Sequence, residues 1–214
     1  FLMKKLVFGL ILILAACVAV PDVGHTMNYQ GLRDTTYQIS MDWGNCSAVA
    51  ISPTELLTAA HCVTEVGEQF KIFDGTPNDK VFVGTATAVK DKDDVDLALL
   101  ILEKGKTFPV YASLASREPL RDEIVVVVGY PMDVQEVLTV GRWQGYSTDM
   151  QLVTAQAVFG NSGGPMFIIQ NGKYVLAGIG SQVMGISGVP IAYLSFFVTL
   201  DNIVDFLGIH PKTP

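Results

Sequence analysis

The 214-residue chain carries 21 acidic and 14 basic side chains, for a net charge of −7 and a pI near 4.8, a balance with no electrostatic footprint for nucleic acid. Half of its residues are apolar and 16% are charged. No low-complexity tract interrupts them, so a sizeable core can form and extended disorder is excluded. The mean hydropathy of +0.39 is high because of one short N-terminal run.

That run, Leu6 to Ala16, is apolar apart from Gly9 and follows Lys4-Lys5. A basic start, a brief greasy core and small residues predict an export signal over 1–16, too short to span a bilayer comfortably. Leu14-Ala15-Ala16-Cys17 resembles a bacterial lipobox, which implies cleavage before Cys17 and lipid on its thiol. Ordinary secretion, with cleavage after Ala16 or Ala19, is the other expectation. The protein is therefore expected to be exported, either as a periplasmic or cell-surface lipoprotein or as a secreted protein. Only a lipid on Cys17 would tie it to a membrane.

A linker over 17–35 leads into segments rich in Val, Ile, Phe and Thr, expected as strands at 48–51, 56–58, 70–72, 81–89, 96–102, 124–129, 136–143, 151–154, 166–169, 174–178 and 194–199. Gly, Pro, Asn and Asp punctuate them at intervals of about 8–12 residues, an all-β signal. Asn171-Gly172 between β-formers predicts a hairpin with a type I′ turn. About a dozen short strands exceed what one small barrel needs. Two antiparallel barrels are expected, over 36–112 and 123–200, joined by a connection at 113–122. A short helix capped by Asp201 and stopped by Gly208 should follow within 201–214.

Three segments carry chemistry: Leu57-Thr58-Ala59-Ala60-His61-Cys62, Asp96-Leu97-Ala98-Leu99-Leu100 and Gly160-Asn161-Ser162-Gly163-Gly164-Pro165. A serine hydroxyl is a weak nucleophile unless a base takes its proton, and a histidine titrates where it can do so. An aspartate at a strand mouth can hold that imidazole in one tautomer, and glycines flanking the serine allow a sharp bend close to a substrate. In this order and separation, the three motifs resemble trypsin-like serine peptidases of the chymotrypsin fold. The likeness runs from about Gly44 to Leu207. It implies two six-stranded barrels and a triad of His61 as base, Asp96 as orienting acid and Ser162 as nucleophile. The N–H groups of Gly160 and Ser162 would form the oxyanion hole.

Cys46 and Cys62 could be buried thiols or a disulfide; the resemblance and an oxidising destination favour the disulfide. The resemblance also implies a hydrogen bond from Ser181 to Asp96. It places the primary specificity pocket near Gln156, Ala157, Ser181, Gln182, Val183, Ser195 and Phe196. With no acid at the floor, an uncharged, small-to-medium side chain is the expected preference. Asn161 stands where animal digestive relatives carry the aspartate that captures a freshly clipped N-terminus, so activation by clipping is not expected. Gly160-Asn161-Ser162-Gly163-Gly164, Val128-Gly129-Tyr130-Pro131 and Leu138-Thr139-Val140-Gly141-Arg142 look like bacterial HtrA-type peptidases, here expected without a PDZ domain.

With only His25, His61 and His210, no zinc ligand set is evident, so no metal or cofactor is expected. The expected partner is a polypeptide substrate; the sequence leaves the oligomeric state open. Two other readings remain. One is a peptidase-fold binding protein without catalysis. The other is an α/β-hydrolase esterase using Ser162 with Asp201 or Asp205 and His210, which requires a helix directly after the serine.

Overall fold

The computed structural model describes residues 29–42, 44–75, 80–131, 135–186 and 189–209; the export segment, Cys17, His25 and His210 lie outside them. Two closed antiparallel barrels of six strands each make up the body. The first contains β1 (Thr36–Met41), β2 (Gly44–Ala50), β3 (Glu55–Thr58), β4 (Gln69–Gly75), β5 (Lys80–Lys92) and β6 (Leu97–Leu102), joined in the order β1-β2-β3-β6-β5-β4. The second contains β7 (Ile124–Gly129), β8 (Val137–Ser147), β9 (Met150–Val153), β10 (Pro165–Gln170), β11 (Lys173–Ile186) and β12 (Val189–Val198), in the order β10-β11-β12-β9-β8-β7. Pairing of β1 with β4 and of β10 with β7 closes each ladder and removes its free edges. One helical turn, α1 (Gln30–Arg33), precedes the first barrel, and α2 (Leu200–Leu207) follows the second.

Several strands are buried on both faces, which explains their unbroken apolar runs. In β7, Val125 and Val127 point into the second barrel, whereas Val126 and Val128 point at the seam between barrels. In β2, Ala48 and Ala50 join the first barrel's core, while Val49 joins the seam. Leu57 and Leu97 from the first barrel meet Phe167, Leu176 and Ile179 from the second in that seam, covered by Ile203 and Phe206 of α2. Period-two alternation thus builds three apolar layers from two barrels.

Asn171 and Gly172 both take positive φ, 52° and 74°, as the expected hairpin turn requires. Two features differ from expectation. No strand is expected at 36–41, although Thr36, Gln38 and Ser40 alternate with Tyr37, Ile39 and Met41 as in a half-solvated strand. Thr36 and Gln38 are nonetheless buried. That face meets the second barrel, where the Tyr130 hydroxyl donates to the Thr36 carbonyl at 3.1 Å. The cap of α2 is Thr199, whose hydroxyl accepts the Asn202 N–H at 3.2 Å. Asp201 lies inside the first turn, where its charge still complements the helix N-terminus. Gly208, at φ 69° and ψ 24°, ends the helix in the left-handed conformation, where a missing Cβ matters.

Candidate active site

Strand register places His61 beside Asp96. β3 runs antiparallel to β6 with Thr58 opposite Ala98. His61 follows Thr58 by three residues and Asp96 precedes Ala98 by two, so both project from the same end of one ladder. His61 occupies a 3-10 turn (Ala60–Cys62), and Asp96 follows another (Asp93–Val95) with φ 54°. The His61 backbone N–H donates to Asp96 Oδ1 at 3.0 Å, and its ring Nδ1 lies 3.0 Å from both carboxylate oxygens. An ionised carboxylate can only accept, so Nδ1 carries the proton and the lone pair sits on Nε2.

A third donor comes from the other barrel. Ser181 sits at a register break in β11, between Gly180 and Gln182, where a bulge can re-aim a side chain. Its hydroxyl donates to Asp96 Oδ2. Burial by itself would raise the Asp96 carboxyl; bonds from the His61 ring, Ser181 and the His61 N–H outweigh it and hold the group below its ordinary range.

Ser162 lies on the loop from β9 to β10. A turn closed by Asn161 N–H to the Val158 carbonyl (3.0 Å) and Gly160 at φ 95° bend the chain ahead of it. Behind it, Gly163 (φ 78°) sits so close to the first barrel that a Cβ there would lie 2.0 Å from Thr58 Oγ1 and 2.2 Å from the Ser47 carbonyl. Only glycine fits. Among the described residues, the N–H groups of Gly160 and Ser162 donate to no protein acceptor, although Asn161, Gly163 and Gly164 all do. No hydrogen bond joins Ser162 to His61 among the described residues, but both line one cleft of about 610 Å³. Catalytic contacts of this kind often tighten only with substrate bound.

Ala157, Ser181, Gln182, Val183 and Phe196 line the cleft as expected. Gln156 and Ser195 do not. Gln156 is exposed, its carbonyl held by Thr139. Ser195 is buried behind the wall, its hydroxyl donating to the Ala155 carbonyl (3.0 Å) and accepting the Ala157 N–H (3.1 Å). These bonds hold the Ser195 hydroxyl against the loop backbone at Ala155 and Ala157, away from the cleft that its neighbour Phe196 lines. Sequence reasoning also missed Asn45, Val158, Phe159 and Phe197, which line the same cleft. Phe159 and Val158 directly precede the Gly160 motif, a signal that could have found them. No carboxylate, lysine or arginine is among the lining residues.

Cys46 and Cys62 form a disulfide with Cα atoms 6.3 Å apart, tying β2 to the turn that holds His61. Asn161 is buried, and its Oδ1 has no hydrogen-bond partner among the described residues. After Ser162 the chain enters strand β10, so the helix demanded by the esterase reading is absent from that place.

Two six-stranded barrels meeting over a serine, a histidine and an aspartate define the chymotrypsin-like architecture. The chain belongs to the trypsin-like peptidase domain family, whose model matches residues 46–178. An inactive serine-to-alanine form of Rv3671c from M. tuberculosis H37Rv shares the fold at 20% identity and a TM-score of 0.69, over 90% of this chain and 96% of that one. The MamO protease domain from Magnetospirillum magneticum aligns at 18% identity and a TM-score of 0.68, over 83% and 97% of the two chains. A serine endoprotease from Yersinia pestis aligns at 18% identity and a TM-score of 0.66, over 84% of this chain and 65% of its own. No curated protein matches the sequence.

Proposed function

We propose that the protein is an exported serine endopeptidase that cleaves peptide bonds through an acyl-enzyme on Ser162. One observation carries the reading: the Ser181–Asp96–His61 hydrogen-bonded chain opens into the cleft that also holds Ser162 and two backbone N–H groups that donate to no acceptor among the described residues. Ser162 Oγ attacks the scissile carbonyl carbon while His61 Nε2 takes its proton. The oxyanion that forms is met by the N–H groups of Gly160 and Ser162, each donor contributing roughly 3–4 kcal/mol to the transition state. The imidazolium, stabilised by ionised Asp96, gives its proton to the departing amine. Water then attacks the acyl-enzyme with His61 again as base, releasing the carboxylic acid and restoring Ser162.

A cleft lined by no carboxylate, lysine or arginine disfavours a charged residue at the cleaved position, because burying an unpaired charge is costly. The substrate is therefore a polypeptide presenting an uncharged side chain there. Export rests on the N-terminal sequence; the intact mass of the mature protein tests whether Cys17 carries lipid. For the chemistry, casein and a fluorophosphonate probe are offered to the protein and to Ser162→Ala. Hydrolysis and labelling confined to the unaltered protein are the expected result. Equal hydrolysis by both would overturn the mechanism, and failure of the unaltered protein to label would favour a non-catalytic binding role.

A further inference from the structure

We infer that Ser47 is a positioning residue for the oxyanion loop, acting from the opposite barrel; the inference rests on the serine-peptidase reading above. Ser47 follows Cys46 in β2 and is fully buried. Alternation sends Cys46 and Ala48 to the first barrel's core and leaves Ser47 on the seam side with Val49. There its hydroxyl donates to the Gly160 carbonyl at 2.8 Å and accepts the Tyr130 N–H at 2.9 Å. Its backbone N–H donates to the Ser162 carbonyl at 2.8 Å, and its own carbonyl accepts the Thr58 hydroxyl at 2.7 Å. One residue thus ties together the nucleophile, the oxyanion loop, the end of β7 and the strand leading to His61.

The side-chain bond matters because of what it holds. Gly160 lacks a Cβ and sits at φ 95°, so its flanking peptides rotate at little steric cost. An oxyanion donor works only when aimed in advance, and nothing in the glycine itself sets that aim. The Ser47 hydroxyl restrains the peptide on the carbonyl side of Gly160, and its backbone N–H restrains the peptide after Ser162. The Ser162 N–H lies between these anchors, and the Gly160 N–H belongs to the peptide immediately before the first of them. A backbone N–H is available from any residue except proline at position 47; the hydroxyl bridge to Gly160 and Tyr130 requires this side chain. Removing it frees the loop by taking away the hydroxyl that the Gly160 carbonyl and the Tyr130 N–H both bond.

The test compares unaltered protein, Ser47→Ala and Ser47→Gly on a chromogenic peptide, with rates normalised to folded enzyme by circular dichroism. Both variants should lose about 10- to 100-fold in kcat, with KM changed less than about threefold, as loss of aim at the transition state predicts. The pH midpoint of kcat/KM should stay in place, since Ser47 bonds to neither His61 nor Asp96. A merely structural role would lower the melting temperature without changing kcat per folded molecule. A kcat within threefold of the unaltered protein in either folded variant overturns the inference. Failure of both variants to fold also overturns it, by assigning Ser47 to assembly of the barrels. Absence of turnover and labelling in the unaltered protein instead counts against the peptidase reading itself.

Discussion

Replacing Asp96 by asparagine is the most informative perturbation because the contacts dictate its outcome. The carboxylate accepts from three donors: the His61 N–H, His61 Nδ1 and the Ser181 hydroxyl. An amide of the same shape has only one accepting oxygen. If that oxygen stays on the His61 N–H, the NH₂ group faces Nδ1, which can no longer be a donor. The ring proton then moves to Nε2, the atom that has to accept the proton of Ser162. If the amide flips, the NH₂ group instead collides with the backbone N–H of His61. Under the proposed mechanism the first arrangement keeps the fold and removes the base, so kcat should fall about 10⁴-fold, roughly 5 kcal/mol of transition-state stabilisation. KM should change less than about threefold, since Asp96 does not line the cleft. Steady-state hydrolysis of a chromogenic peptide by folded protein measures both constants. A kcat within tenfold of the unaltered enzyme would refute the assignment of tautomer and base.

Removing the disulfide by Cys46→Ala with Cys62→Ala opens a loop spanning a sequence separation of 16; the lost constraint, about 3 kcal/mol, should lower Tm by about 6–12 °C for a domain of this size. Calorimetry showing a drop under about 2 °C would contradict that account. Gly163→Ala places a Cβ 2.0 Å from Thr58 Oγ1 at φ 78°, so it should destabilise by more than about 3 kcal/mol; a urea midpoint close to that of the unaltered protein would show that the loop can yield. Glu136 is almost fully buried beside Arg33, and burial, opposed by Arg33, pushes its carboxyl up to about 7. A carboxyl raised on folding binds more protons in the folded state, so its contribution to stability is greatest at low pH. It falls as pH rises from the ordinary value of 4.5 to about 7, by roughly 3 kcal/mol in all. Glu136→Gln should flatten this loss between pH 5 and pH 8 in denaturant melts, and an unchanged pH dependence would refute the burial argument.

Much of this protein was legible in its residues. Strand spacing with Gly and Pro punctuation indicates an all-β chain, and Asn171-Gly172 marks its hairpin because only certain residues tolerate two consecutive positive φ angles. His61, Asp96 and Ser162 are recognisable because their motifs combine backbone requirements with reactive groups in a fixed order. These are local matters, decided within a few residues of chain. The role of Ser47, the burial of Gln38 and Thr36 and the outward turn of Gln156 are decided elsewhere. For Ser47, Thr36 and Gln38 the answer depends on which face of a strand meets the second barrel, and for Gln156 on the hold of Thr139 on its carbonyl. Ser47 shows the difference most plainly: a serine in an ordinary strand pattern carries no sign of the carbonyl, 113 residues away, that its hydroxyl holds. Sequence alone singled out the candidate groups and the kind of fold; closure of two barrels against one seam decided where those groups point, because hydrogen-bond partners and buried faces exist only once distant strands have met.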